Sequence, residues 1–257
     1  MSSDSPIPPQ GQPKQLNLQQ LAGQFMAGVQ RHFDNLAFNQ AARMAVTEAS
    51  FDEQVKRPGI MPAAPFHQNF EQMQAYTLDL LHRQVIGDSL NLAGSVMNNV
   101  HLFLALLKGN GTNLQVDPEV QRQVQQEQQE FVRIPLDQKF DRLEKNYGVV
   151  CPLEDTITSL GLAMQALMQQ NGMVGERQLD ESGELAFELQ APREGQVVTT
   201  PQIPKDAIEP LAKVFRNGDR VLFSDTELPL VFVTVAIFAD NLFGSVARYG
   251  RDLQAGE

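Results

Sequence analysis

Residues Phe66 to Lys108 read FHQNFEQMQAYTLDLLHRQVIGDSLNLAGSVMNNVHLFLALLK, and this stretch decides the fold. Leu81, Val85, Leu92, Val96, Val100, Phe103 and Leu107 recur at helical spacing. Ile86, Leu90, Ala93, Met97 and Leu104 form a second apolar stripe, leaving Gln84, Asn91, Ser95 and Asn98 as a narrow polar strip. A helix apolar on most of its circumference loses free energy wherever water reaches it, so it belongs inside a bundle. The chain is therefore expected to be mainly α, a helical bundle around a long central helix. That helix starts near Phe66 after Pro65 and stops at Gly109-Asn110-Gly111.

Upstream, Leu18, Leu21, Phe25, Val29, Phe33 and Leu36 lie on one helical face, and the pattern loosens through Met44 and Phe51 to Val55. The segment from Met1 to Lys14 is rich in Ser, Pro and Gln and reads as a flexible tail; residues 16–257 are expected to form one domain. Downstream, Asp117-Pro118-Glu119 supplies an N-cap with Pro in the first turn, opening a Gln-rich solvated helix through Arg133. Leu136 to Tyr147 is a short helix closed by Gly148, and a fifth helix runs from Pro152 to about Gln170.

The period then changes to two, and a small antiparallel β element is expected around residues 176–223, inserted before the C-terminal helix. Leu185, Phe187 and Leu189 mark its first strand; Gln196 to Thr200 and Arg220 to Phe223 read as further strands, with a short helix over Pro204 to Arg216. Ser224 and Glu227 have the spacing of a capping box, which favours helix for Leu228 to Tyr249 despite its β-branched residues.

Composition removes several classes of function. With 31 acidic against 20 basic residues the net charge is −11, and no basic run exists to neutralise phosphates, which argues against nucleic acid as a partner. The most apolar stretch, Leu228 to Ala239, is shorter than the roughly 20 residues that span a bilayer, so no membrane partner is expected and the cytoplasm is the default address. The single cysteine, Cys151, excludes an internal disulfide and reads as structural. There is no Gly-x-Ser-x-Gly elbow and no Gly-rich phosphate loop, so no cofactor is expected.

Three residues of the central helix carry the metal alternative. Asp79 and His82, three apart, can ligate from one face, and Asp88 sits on the apolar stripe, where a carboxylate needs a partner or a raised pKa. Metal-binding bundles pair a carboxylate-x-x-His motif from each of two helices, and only one copy is present here; among the other histidines, His32, His67 and His101, only His67 with Glu71 has helical spacing. A structural role for Asp88, hydrogen-bonded to a neighbouring helix, is the simpler reading.

The segment TSLGLAMQALMQQNGMV, Thr158 to Val174, resembles the motif helix of HEPN-like bundles, in which an Arg-Asn pair is followed by His shortly before Asn-Gly and a β-hairpin. The likeness extends from Phe66 to Tyr249. It places the family's catalytic Arg at Met164 and its His at Gln169, so this chain looks catalytically inactive, with Gln165, Gln169 and Asn171 left as binding residues. It also implies a homodimer. The expected protein is a non-enzymatic cytoplasmic bundle that acts through protein contacts with itself or another protein. The alternative is a hydrolase, either a metal-dependent bundle using Asp79, His82 and Asp88 or a divergent HEPN-like ribonuclease. A small-molecule pocket leaves no signature in spacing.

Overall fold

The computed structural model describes residues 18–55, 69–111, 117–193 and 207–255. Seven helices occur among them: α1 (Leu18–Ala45), α2 (Glu48–Val55), α3 (Phe70–Asn110), α4 (Pro118–Arg133), α5 (Leu136–Tyr147), α6 (Glu154–Gln169) and α7 (Leu228–Ala255). Strands β1 (Glu184–Pro192) and β2 (Ile208–Arg216) form an antiparallel pair between α6 and α7. The mainly α architecture around a long central helix is the one the apolar stripes demand.

α3 runs unbroken for 41 residues. Its first residue is Phe70 rather than Phe66, because Asn69 adopts an extended backbone and its side chain accepts from the Gln72 N–H, the work of an N-cap. From Leu81 onward it is enclosed: Ile86, Ala93, Val96, Met97, Val100 and Leu104 are wholly buried. Before Leu81 it is largely bare to water. α7 is its main partner, and both helices are long and apolar enough to cross a bilayer by length and composition alone. α7 starts at Leu228 as expected and continues six residues past Tyr249, to Ala255. More than half of its most apolar window is buried within the bundle.

Local signals set most boundaries. Asp117 caps α4 by accepting from the Glu119 N–H. Gly148, at φ +65°, closes α5 in the left-handed conformation that glycine adopts without a Cβ penalty. Ser224 and Glu227 form the reciprocal capping box ahead of α7, with N–H to side-chain distances of 2.8 and 3.1 Å. The first helical pattern is divided, however: α1 ends at Ala45 and α2 begins at Glu48, with Thr47 and Ser50 exchanging side-chain and backbone hydrogen bonds at the break. α6 starts at Glu154, two residues after Pro152, because Leu153 turns left-handed at φ +71°.

The β element departs most from expectation. The helix expected over Pro204 to Arg216 is instead strand β2 from Ile208, paired with β1 in the register Leu185 to Phe215 and Leu189 to Leu211. Pro210 explains part of this, since a proline in a helix interior removes a hydrogen bond and clashes with the preceding turn. The N–H groups of Glu188 and Gln190 point away from β2, to the hydroxyls of Thr156 on α6 (3.0 Å) and Thr234 on α7 (2.9 Å). By the alternation of an antiparallel ladder, Pro210, opposite Gln190, then points its nitrogen outward, where no ladder bond is lost. The strand expected over Arg220 to Phe223 is reduced to an isolated bridge between Met173 and Arg220. The strand expected over residues 196–200 lies outside the described residues, as does the start of the expected helix at 204–206.

β1 is thus held along its outer edge by two buried threonine hydroxyls. Thr234, fully buried, accepts from Gln190 and donates to the Leu230 carbonyl at 2.7 Å. Thr234→Val keeps the shape and orphans the Gln190 N–H, so urea denaturation is expected to show a loss of about 1–3 kcal/mol; an unchanged midpoint would show that the edge needs no such support.

Candidate functional site

A trough runs between α1 and α3 toward the start of α7. At one end His32 of α1 meets Asp88 of α3, with Nδ1 3.0 Å from Oδ2, and the Phe232 ring of α7 lies 5.8 Å from the imidazole. At the other end Arg43 reaches both carboxylate oxygens of Asp225 through Nη2 at 2.6 and 2.5 Å, and Gln40 donates to the Asp225 carbonyl at 2.8 Å. Between the two ion pairs lies an open groove of about 280 Å³ with walls from Ala42, Val46, Thr77, Leu80 and Leu81. Leu81 and Gln84 border both the groove and the His32–Asp88 pair, so the features are continuous. The Arg43 Nε is buried against the groove with no hydrogen-bond partner. No Ser, Cys or Lys lines either part. Partly apolar walls with one unspent donor suit binding.

The metal trio is dispersed by this geometry. Asp88 is partly exposed rather than buried in the core, and its partner is His32 instead of an Arg. Asp79 is held by two guanidinium groups, Arg83 at 2.6 Å and Arg220 at 3.4 Å. His82 is fully engaged with backbone: Nδ1 lies 2.7 Å from the Leu78 carbonyl, and Nε2 lies 2.9 Å from both the N–H and the carbonyl of Phe223. Both ring nitrogens are then engaged, and the ring fastens the segment before α7 to α3. Among the described residues, no group of three or more His, Cys, Asp or Glu side chains could hold a metal ion. His67 lies outside them. His82→Leu orphans the buried Phe223 N–H and is expected to cost at least about 1–3 kcal/mol in urea denaturation, with no change in Tm on adding a chelator to the wild type. Chelator-induced unfolding would return His82 to the list of ligands.

The residues singled out by the HEPN-like resemblance lie on α6 and at its end. Gln165 and Gln169 are exposed and four apart on one face. Met164, where the family has Arg, turns inward and packs on Gly87 of α3. The two family positions therefore do not converge. Asn171 adopts φ +54° and Gly172 φ +82°, and the Gly172 N–H returns to the Ala166 carbonyl at 2.9 Å. Asn171-Gly172 is thus fully used as a helix stop.

A buried polar cluster escaped the spacing analysis. His101 of α3 stacks on Phe131 of α4, with centroids 3.9 Å apart and planes 10° apart. Its Nδ1–H donates to the Gln128 Oε1 at 2.7 Å, and the Gln128 amide donates in turn to the Asn98 carbonyl at 2.9 Å. Lys139 of α5 is buried, and its Nζ donates to the Asn98 Oδ1 (2.8 Å) and to the Phe131 and Val132 carbonyls (2.5 and 3.2 Å) while lying over the Phe131 ring. Those two carbonyls belong to the last turn of α4, where the helix dipole favours a cation. Burial, with help from Arg142, lowers the Lys139 pKa. The only signal in the sequence was Asn98, placed on the polar strip of α3 and drawn inward by Lys139.

Cys151 is buried, and burial together with Glu154 and Glu144 pushes its thiol up to about 12. The structural reading of this cysteine predicts negligible alkylation by iodoacetamide in the native protein at about pH 8 and full alkylation in urea, read by mass spectrometry. Rapid native labelling would contradict it. No family model matches the chain, and neither the curated proteins nor the solved structures contain a match.

Proposed function

We propose that this chain is a non-enzymatic helical-bundle protein that works through protein contacts as a cytoplasmic homodimer, a catalytically inactive relative of the HEPN-like bundles. The bared groove between α1 and α3 is the observation that carries this reading. Single exposed apolar residues are ordinary on a protein surface, whereas a cluster around a concavity is not. Here Val46 and Leu80 line the groove at 44% and 43% exposure, and Phe38, 72% exposed, stands beside it on α1.

A second copy is the occupant we favour. Phe38 precedes the groove residue Ala42 by one helical turn, so projection and recess lie side by side on one element. Two copies related by a two-fold axis can then exchange them, each Phe38 entering the other's groove, which is the self-complementary arrangement an isologous dimer requires. The acidic net charge disfavours nucleic acid in its place. Neither route to hydrolysis has a supporting arrangement, since Asp79, His82 and Asp88 are separately engaged and Met164 is packed away from Gln169.

Size-exclusion chromatography with light scattering is expected to give twice the 28.6 kDa chain mass, and Leu80→Glu is expected to give the single-chain mass with unchanged helicity. A wild type that runs as a single chain at micromolar concentration sinks the homodimer.

A further inference from the structure

The His101 cluster has a consequence separate from the groove. α4 is a polar helix that buries only Val124 and Phe131. Its N-terminal end sits against the end of α3, where a Cβ on Gly109 would come within 2.7 Å of Val120. Its C-terminal end is gripped by Lys139, and its middle by the stack of Phe131 on His101 and the bond from His101 to Gln128. One of its two buried side chains therefore rests directly on a titratable ring. Apart from Val124 and Phe131, the α4 residues are largely exposed Gln and Glu and gain little from staying docked.

We propose that His101 is an acid-sensitive latch for α4: the neutral imidazole holds the helix on α3, and protonation releases it while the rest of the bundle stays folded. In the latched state the Nδ1–H is committed to Gln128, so the second proton must go to Nε2. It arrives where Lys139 and Arg142 of α5 already contribute positive charge, opposed by Glu127 of α4. Tyr147 of α5 presents its ring edge at 5.8 Å and remains neutral, its hydroxyl pushed up to about 12 by burial, Glu127 and Tyr249 of α7. Lys108 of α3 lies over the far part of this aromatic group, 5.4 Å from the Tyr147 ring centre. Burial is the largest influence on His101 and lowers its pKa.

The sign follows from linkage. The released helix lets His101 take up a proton near the ordinary value of about 6.5, while the docked helix resists it, so docking is fully favoured above that value. Docking weakens as the pH falls below it, by up to roughly tenfold per pH unit until the docked imidazole also titrates. Lys139 holds only the last turn of α4, through the Phe131 and Val132 carbonyls, so the turns before it are the part of the helix that release frees.

Hydrogen exchange on the full chain at about pH 7.5 and about pH 5.5, corrected for the intrinsic pH dependence, tests this. Peptides from residues 118–133 are expected to lose protection by up to roughly tenfold at the lower pH, with α6 and α7 unchanged. His101→Phe keeps the aromatic stack and removes the titration, so its α4 protection is expected to be the same at both pH values. Should that variant fail to fold, the imidazole signal of His101 followed by NMR in the wild type must titrate below the ordinary histidine value, the direction that weakens docking in acid. Equal α4 protection at both pH values in the wild type, an acid response retained in His101→Phe, or a His101 titration at or above the ordinary value would each overturn the latch.

Discussion

Enclosure of α3 from Leu81 to Ala105 is the constraint on which the other elements depend. A helix satisfies its own backbone, so enclosing its apolar side chains is favourable by roughly 25 cal/mol for each Å² removed from water. Its polar side chains are a different matter. Each must find a partner inside the bundle, since an unpaired buried polar group costs about 1–3 kcal/mol. The neighbours of α3 can be understood as answers to that requirement. His82 is answered by the backbone before α7, Asp88 by His32 of α1, and His101 with Asn98 by α4 and α5. Ser89, fully buried with its hydroxyl unpartnered, and the buried Nε of Arg83 are the exceptions among the described residues of this stretch.

The same logic extends to the β element. A two-stranded ribbon is marginal alone because half its backbone groups face outward unpaired. Here β1 borrows threonine hydroxyls from α6 and α7, and its Phe187 packs edge-on with Phe215 and Phe223 at 5.5 to 5.8 Å. Phe223 is also the residue whose backbone His82 holds. The ribbon, the segment before α7 and the central helix are therefore one mechanical unit, in which the salt bridge of Lys213 to Glu227, 2.9 Å, ties strand to helix cap.

What the sequence reveals follows the range of each interaction. Asp117 ahead of Pro118, Gly148 after Tyr147, and Ser224 with Glu227 all act within four residues, and each was legible. The split between α1 and α2 and the strand from Ile208 to Arg216 were not. In the first, two hydroxyl residues reorganise a single turn within a continuing apolar pattern. In the second, the pairing that outweighs helix propensity comes from a strand centred some twenty residues upstream, and Pro210 alone does not announce which alternative it imposes. The candidate site was legible only as a set of residues. Helical spacing placed Asp79, His82 and Asp88 on one element, but their partners, Arg220, Phe223 and His32, lie 141, 141 and 56 positions away. Spacing along one helix can propose a ligand set, and it is blind to competitors arriving from elsewhere.

His82 and His101 show why burial alone does not decide what a histidine does. Both are on α3 and nearly inaccessible, at 1% and 2% exposure. His82 meets only backbone, the Leu78 carbonyl and the N–H and carbonyl of Phe223, and both partners belong to well-anchored segments. His101 meets a glutamine side chain and an aromatic ring, and both of these belong to a helix that contributes only two buried residues of its own. Any change at His82 acts on the central unit, where many contacts resist together. A proton on His101 has to overcome only the attachment of α4. The difference in consequence lies in what the partner is fastened to, and that is a property of the fold rather than of the imidazole.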